Sequence, residues 1–255
     1  MSWNPEQYLK FSAPRLRPAV DLLARVAVKE PTLIFDLGCG AGNVTRLLLD
    51  RWPSASIVGV DDSKKMLQKA AIELPQVRWV NQRLAEWRSD YPADLIYSNA
   101  ALHWLPNHAQ LFPKLLDSLA PGGTFAIQMP RNFAAPSHTL IGDTVRAGPW
   151  RNRLQHLLVP APVAEPNFYY SLLAPLAKSI DIWETEYLQT LEGRDPVKEW
   201  TKGTWLKQFL DCLDESEGDA FEADYALRLR HVYKQQADGK TLFPFRRLFI
   251  VLQRI

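Results

Sequence analysis

Short apolar runs alternate with amphipathic segments through the first half of the chain, and this limits the fold more than any other feature. "TLIFDLG" (32–38), "ASIVGVD" (55–61), "VRWVN" (77–81), "ADLIYSNA" (93–100) and "GGTFAIQMP" (122–130) have the length and apolar content of buried strands. Between them, "NVTRLLLDRW" (43–52, stopped by Pro53), "SKKMLQKAAIEL" (63–74) and "HAQLFPKLLDSL" (108–119) read as helices, and "PAVDLLARV" (18–26) as an amphipathic helix ahead of the first strand. That order predicts a parallel sheet with helices on both faces.

After Pro130 the rhythm changes. Residues 131–177 are rich in proline and aromatics, and "KSIDIWETEYLQTL" (178–191) reads as a long strand. Residues 195–237 read as helical, with Phe221, Tyr225, Leu229 and Val232 on one stripe, and "FRRLFIVLQRI" (245–255) reads as a strand. The expectation is a single α/β domain with a Rossmann-like, seven-stranded, mostly parallel sheet. Its core takes about 30–130, 178–191 and 245–255. Insertions of about 131–177 and 193–242, before and after the sixth strand, are long enough to carry structure of their own and are read as a helical cap.

Composition narrows the class. The 255 residues are 47% hydrophobic and 23% charged, enough for one large core. A net charge of +2 does not suggest a nucleic-acid surface. Cys39 and Cys212 are too few for a disulfide scaffold or a cysteine-rich metal site, so no metal is expected. There is no run of eighteen apolar residues and no apolar signal core in "MSWNPEQYLKFSAPRLRP". A reduced, cytoplasmic setting without a membrane partner is expected; the oligomeric state is left open.

The stretch "IFDLGCGAGN" (34–43) supplies the chemistry. Ligands of open α/β sheets bind beyond the carboxyl ends of the strands, where this loop falls. Gly38, Gly40 and Gly42 lack Cβ atoms and allow close approach by a ligand. The spacing is one residue shorter than the dinucleotide fingerprint Gly-x-Gly-x-x-Gly. Asp36, just before the loop, is a poor neighbour for a pyrophosphate and a good one for an ammonium group. Asp61 ends the second predicted strand, where a carboxylate can accept from ribose hydroxyls. The ligand implied has a ribose and a cation but no diphosphate, and S-adenosyl-L-methionine fits.

"DLGCGAGN", "GVDDS" and the "PGG" before the fifth strand resemble the class I S-adenosylmethionine-dependent methyltransferases. More narrowly, "WNPEQYLKFSAPRLRPAVDLLARV", "DLIYSNAALHWLPNHAQLFPKLL", "DIWETEYLQTL" and "FPFRRLFIVLQR" resemble the trans-aconitate 2-methyltransferase family. The resemblance implies that Asp36, Gly38 and Gly40 hold the methionine part of the cofactor and that Asp61 takes the ribose. It places Asp62 and Met66 beside ribose and adenine, Leu84 against adenine, Asn99 on the methionine part and Tyr8 as a closing residue. Such enzymes often have an aspartate near position 83; this chain has Arg83, so backbone near Leu84 must serve the adenine. Read as plain structure, Asp61 and Asp62 also suit the N-cap of the helix at 63–74, Met66 and Leu84 suit a core, and Tyr8 suits a packed helix.

The acceptor decides what else the chain must supply. A carboxylate is ionised at pH 7 and needs no base, whereas a hydroxyl does. The sequence carries no Cys/His dyad, serine elbow or paired metal-ligand motif, which suits alignment without a catalytic residue. A small polycarboxylate, trans-aconitate under the resemblance, calls for arginines, which pair bidentately with carboxylates. Arg131, Arg246 and Arg247 are the candidates, with Tyr169 and Tyr170 as donors and His103 and Trp104 facing the acceptor. Only one of the adjacent pair Arg246 and Arg247 can face a given side of a strand. The alternative is methyl transfer to a hydroxyl, amine or carbon of another small molecule, with His103 as base for a hydroxyl. A nicotinamide oxidoreductase, a non-catalytic binding protein and a nucleic-acid methyltransferase are disfavoured by the loop, the carboxylates and the charge respectively.

Overall fold

The structure is a computed structural model that describes residues 12–255. Tyr8 lies outside the described residues. Seven strands form one sheet: β1 (Leu33–Leu37), β2 (Ser56–Asp61), β3 (Arg78–Asn81), β4 (Ala93–Asn99), β5 (Leu119–Pro130), β6 (Ala177–Leu191) and β7 (Thr241–Arg254), in the order β3-β2-β1-β4-β5-β7-β6. β1 to β5 pair in parallel, and β7 runs antiparallel to β5. The helices are α1 (Ser12–Ala24), α2 (Asn43–Arg51), α3 (Lys64–Glu73), α4 (His108–Leu116), α5 (Pro136–Ala147), α6 (Arg151–Leu154), α7 (Pro166–Leu173), α8 (Pro196–Lys202), α9 (Lys207–Leu210) and α10 (Glu215–Val232). No helix among the described residues is long and apolar enough to cross a membrane.

β1, β4 and β5 are buried on both faces, as parallel strands covered by helices are: Ile34, Leu37, Leu95, Ile96, Tyr97, Phe125, Ala126 and Ile127 are all solvent-inaccessible. From β1 the chain winds outward through β2 and β3, then returns to place β4 on the other side of β1. A crevice therefore opens at the carboxyl ends of β1 and β4, where the winding reverses. Register puts the polar residues there: Asp36 lies opposite Gly59 and Tyr97, Asp61 opposite Asn81, and Asn99 opposite Gln128.

The described chain divides into two compact units. One holds Arg15–Pro130, Pro162–Thr185 and Arg247–Ile255. The other holds Arg131–Ala161 and Glu186–Arg246, with a core of aromatic and aliphatic residues that includes Trp150, Trp200, Phe209, Phe221, Tyr225 and Phe243. The expected insertion 131–177 is thus split: 131–161 lies in the second unit, and α7 belongs with the sheet. Two prolines in this stretch start helices, at Pro136 and Pro166. In place of one helical stretch over 195–237 there are three helices, and α10 opens on a capping box between Asp214 and Glu217. Its buried stripe is Phe221, Tyr225 and Leu229; Val232 is exposed.

Candidate active site

The glycine loop is held in a left-handed shape. Gly38, Gly40 and Gly42 have φ of 77°, 54° and 83°. A Cβ on Gly38 would lie 2.1 Å from the Cβ of Ala101, so only glycine fits where the loop passes the segment that follows β4. The backbone N–H groups of Gly38 and Cys39 both donate to the Val60 carbonyl, at 2.8 and 3.2 Å. The loop is thereby tied to the end of β2.

Asp61 completes that tie. Its Oδ2 accepts from the Gly40 N–H at 2.9 Å and its Oδ1 from the Ser63 N–H at 2.9 Å. Each oxygen keeps a further lone pair for a ligand. Partial burial raises its pKa. The capping role goes to Ser63, whose hydroxyl accepts from the Met66 N–H at 3.4 Å, so neither Asp61 nor Asp62 is the N-cap of α3. Asp62 is exposed. Asp36 is only 1% exposed and accepts from the Thr45 hydroxyl at 2.6 Å. Burial, with the nearby charge of Asp61 adding to it, pushes its carboxyl up to about 7. The Cε of Met66 and a Cδ of Leu84 each lie 3.5 Å from where a Cβ of Gly40 and Gly38 respectively would stand, so both apolar side chains flank the loop. Arg83 is exposed and paired with Glu86.

At the end of β4, Asn99 is partly buried, and its Oδ1 is buried without a hydrogen-bond partner among the described residues. Ala100 has a positive φ of 54° and its N–H donates to the Gln128 carbonyl at 2.9 Å. The backbone then enters a 3₁₀ turn, Leu102–Trp104. His103 in this turn is buried, Trp104 is about half exposed, and their ring centroids are 4.6 Å apart.

The expected acceptor residues fare differently. Arg247 is buried, with Nη1 donating to Gln128 Oε1 at 3.3 Å, while Arg246 is exposed and 3.7 Å from Glu186. Strand alternation separates the pair as anticipated. Arg131 is partly buried, and its N–H donates to the Arg246 carbonyl at 3.0 Å. Tyr169 corrects the expectation. It is fully buried against Phe112, and its hydroxyl accepts from the Ala164 N–H at 3.2 Å and reaches His108 Nδ1 at 2.7 Å. Those bonds tie the hydroxyl into the fold. Tyr170, the next residue on α7, is exposed.

Residues 34–123 match a family model described as a methyltransferase domain. Over 253 residues the chain is 46% identical to trans-aconitate 2-methyltransferase of Azoarcus sp. (strain BH72), covering 99% of each. The chain belongs to the trans-aconitate 2-methyltransferase family. A second relative of that name, from Acidovorax ebreus (strain TPSY), is 44% identical over 99% of this chain and 98% of its own. Among solved structures, an S-adenosylmethionine-dependent methyltransferase from Thiobacillus denitrificans, in complex with S-adenosyl-L-homocysteine, covers all of both chains at 18% identity with a TM-score of 0.55. That likeness is one of fold.

In this member of the trans-aconitate 2-methyltransferase family, three polar residues at the site went unread in the sequence. Thr45 donates to Asp36, His108 braces the His103 turn by bonding the Leu102 carbonyl at 3.0 Å, and Gln128 accepts from Arg247. Thr45 and His108 sit in helices whose periodicity hides them. Gln128 had a visible signal: a lone amide inside the apolar run "TFAIQMP".

Proposed function

We infer that the chain transfers a methyl group from S-adenosyl-L-methionine to a carboxylate of trans-aconitate, giving a monomethyl ester and S-adenosyl-L-homocysteine. The carrying observation is the loop Gly38–Gly40, gripped by Asp61 and backed by the buried Asp36, at the switch point of a chain 46% identical to the Azoarcus relative of that name. The residues fit such a cofactor. Asp61 has acceptor capacity left for two ribose hydroxyls, and the buried Oδ1 of Asn99 wants a donor such as an ammonium. Met66 and Leu84 offer apolar walls to an adenine, and the exposed Arg83 leaves its recognition to backbone.

When bound, the cofactor supplies an electrophilic methyl group on a sulfonium. Transfer would exchange the C–S bond for a C–O bond to the carboxylate, and the positive and negative charges would cancel. No proton leaves the acceptor, so we assign no residue as a base. The chain's own part is to bind, orient and keep water out. We assign Asp36, Gly38, Gly40, Asp61, Asp62, Met66, Leu84 and Asn99 to the cofactor, Arg247 to the electrostatics of the acceptor, and His103 with Trp104 to its wall. Arg131 and Arg246 are further candidates. The cysteine usage favours a cytoplasmic setting. The test is methyl transfer from labelled cofactor to a panel of small di- and tricarboxylic acids. A base-labile labelled product from trans-aconitate is expected; a base-stable product, or label only on hydroxyl or amine acceptors, would overturn the reading.

A further inference from the structure

We propose that Gln128 holds the reacting carboxylate, its side-chain amide donating to the oxygen that does not attack. This rests on the reading above and names a residue for its acceptor side. Gln128 is fully buried in β5, yet its Nε2 has no hydrogen-bond partner among the described residues. A buried amide nitrogen without a partner is costly unless something else uses it. Its orientation is set by chemistry. Arg247 Nη1 approaches Oε1 at 3.3 Å, and a guanidinium has only donors. Turning the amide over would set donor against donor, so the NH₂ is fixed on the side away from Arg247. Register gives the direction. Asn99 is the partner of Gln128 on parallel β4, so both side chains leave the same face of the sheet at its carboxyl end. Arg247 pairs with Pro130, two residues on, and shares that face. Gln128 therefore stands between Asn99, on the cofactor side, and the buried cation.

The chemical type suits the step. The carboxylate loses its charge as it forms the ester, so a direct ion pair to the reacting group would favour the ground state over the transition state. A neutral donor can orient the group at a smaller cost to its nucleophilicity. Arg247, set behind the amide, polarises it and stays one side chain removed.

The test compares Gln128→Glu and Gln128→Met with the parent, measuring S-adenosyl-L-homocysteine affinity by calorimetry and methyl transfer to trans-aconitate by steady-state kinetics. Gln128→Glu keeps the shape and adds a charge that Arg247 can neutralise, but it removes the donor and repels the acceptor. The expected result is cofactor-product affinity within about twofold of the parent and kcat/KM lowered by roughly tenfold to a hundredfold or more, the loss expected for one hydrogen bond to a charged group. Gln128→Met, the uncharged control, should show a loss in the same direction at equal cofactor-product affinity. Unchanged kcat/KM in a folded variant would overturn the proposal, and so would a loss that only tracks weakened cofactor-product binding. If the parent protein does not methylate trans-aconitate, the underlying reading fails instead, and the two failures are distinct.

Discussion

Two carboxylates flank the same loop, Asp36 just before it in sequence and Asp61 at the end of β2, and their surroundings differ. Asp61 is partly exposed and already bonded to two backbone N–H groups, so it remains a strong acceptor. Asp61→Ala should weaken S-adenosylmethionine binding by about tenfold to a hundredfold, since bonds to a charged acceptor contribute about 1.5–3 kcal/mol. Calorimetric titration of the folded variant checks this; unchanged affinity would remove the assignment. Asp36 predicts a proton linkage. Its carboxyl is pushed from 3.8 to about 7 by burial, so between those values the folded chain carries a proton that the unfolded chain has lost. The sign follows: its contribution to stability is unfavourable above about pH 7 and recovers as pH falls toward 4. A cation placed beside it favours the ionised form, so cofactor binding at pH 6 should release a proton. Titrations at pH 6 in buffers of different ionisation enthalpy will count it, and Asp36→Asn should abolish the release.

At the scale of elements, the parallel strands and α2 to α4 were legible because their apolar periods are clean and their ends are marked by Gly, Pro and Ser. The crevice was legible as well, since Asp36, Asp61 and Asn99 stand at strand ends that the alternation locates. A helical cap was expected over 131–177, but the bounds of α5 and α7 were not legible, because proline marks a helix start only when it is seen to occupy the first turn. Tyr169 was misread for a related reason: nothing local shows that it meets His108, sixty-one residues earlier. Because Nε2 of His108 donates to the Leu102 carbonyl, Nδ1 must be the acceptor, and Tyr169 its donor. Burial keeps this imidazole neutral by lowering its pKa. Tyr169→Phe leaves two buried groups unpaired and should cost about 1–3 kcal/mol in denaturant unfolding. KM for the acceptor should change little; a large rise in KM at unchanged stability would return Tyr169 to the substrate-binding set.

For the whole molecule, the pH profile separates carboxylate from hydroxyl chemistry. With cofactor saturating, single-turnover transfer to a carboxylate should be nearly flat from about pH 6 to 8, as its reference pKa lies near 4. His103→Ala should then show only a modest loss from missing packing. A rate that climbs with pH over this range in the parent and falls by roughly a hundredfold in the variant would indicate a hydroxyl acceptor with His103 as base.

The strand order also dictates a sequence of events in folding. β7 lies between β5 and β6, although β6 precedes it along the chain. Until β7 arrives, β5 has a bare edge and β6 has no neighbour to hydrogen-bond. The partners Thr124 and Gln253 are separated by well over a hundred residues, so the loop that must close is long and its closure slow. Refolding should therefore pass through a stage in which β1, β2 and β4, whose pairings are more local, protect their amides first. Pulse-labelling hydrogen exchange would see β6 protected no earlier than β7. A β6 that gains protection ahead of β7 would mean that the sheet is assembled by another route. During that interval the exposed β5 edge is open to pairing with other chains, so low protein concentration should favour recovery of the native fold.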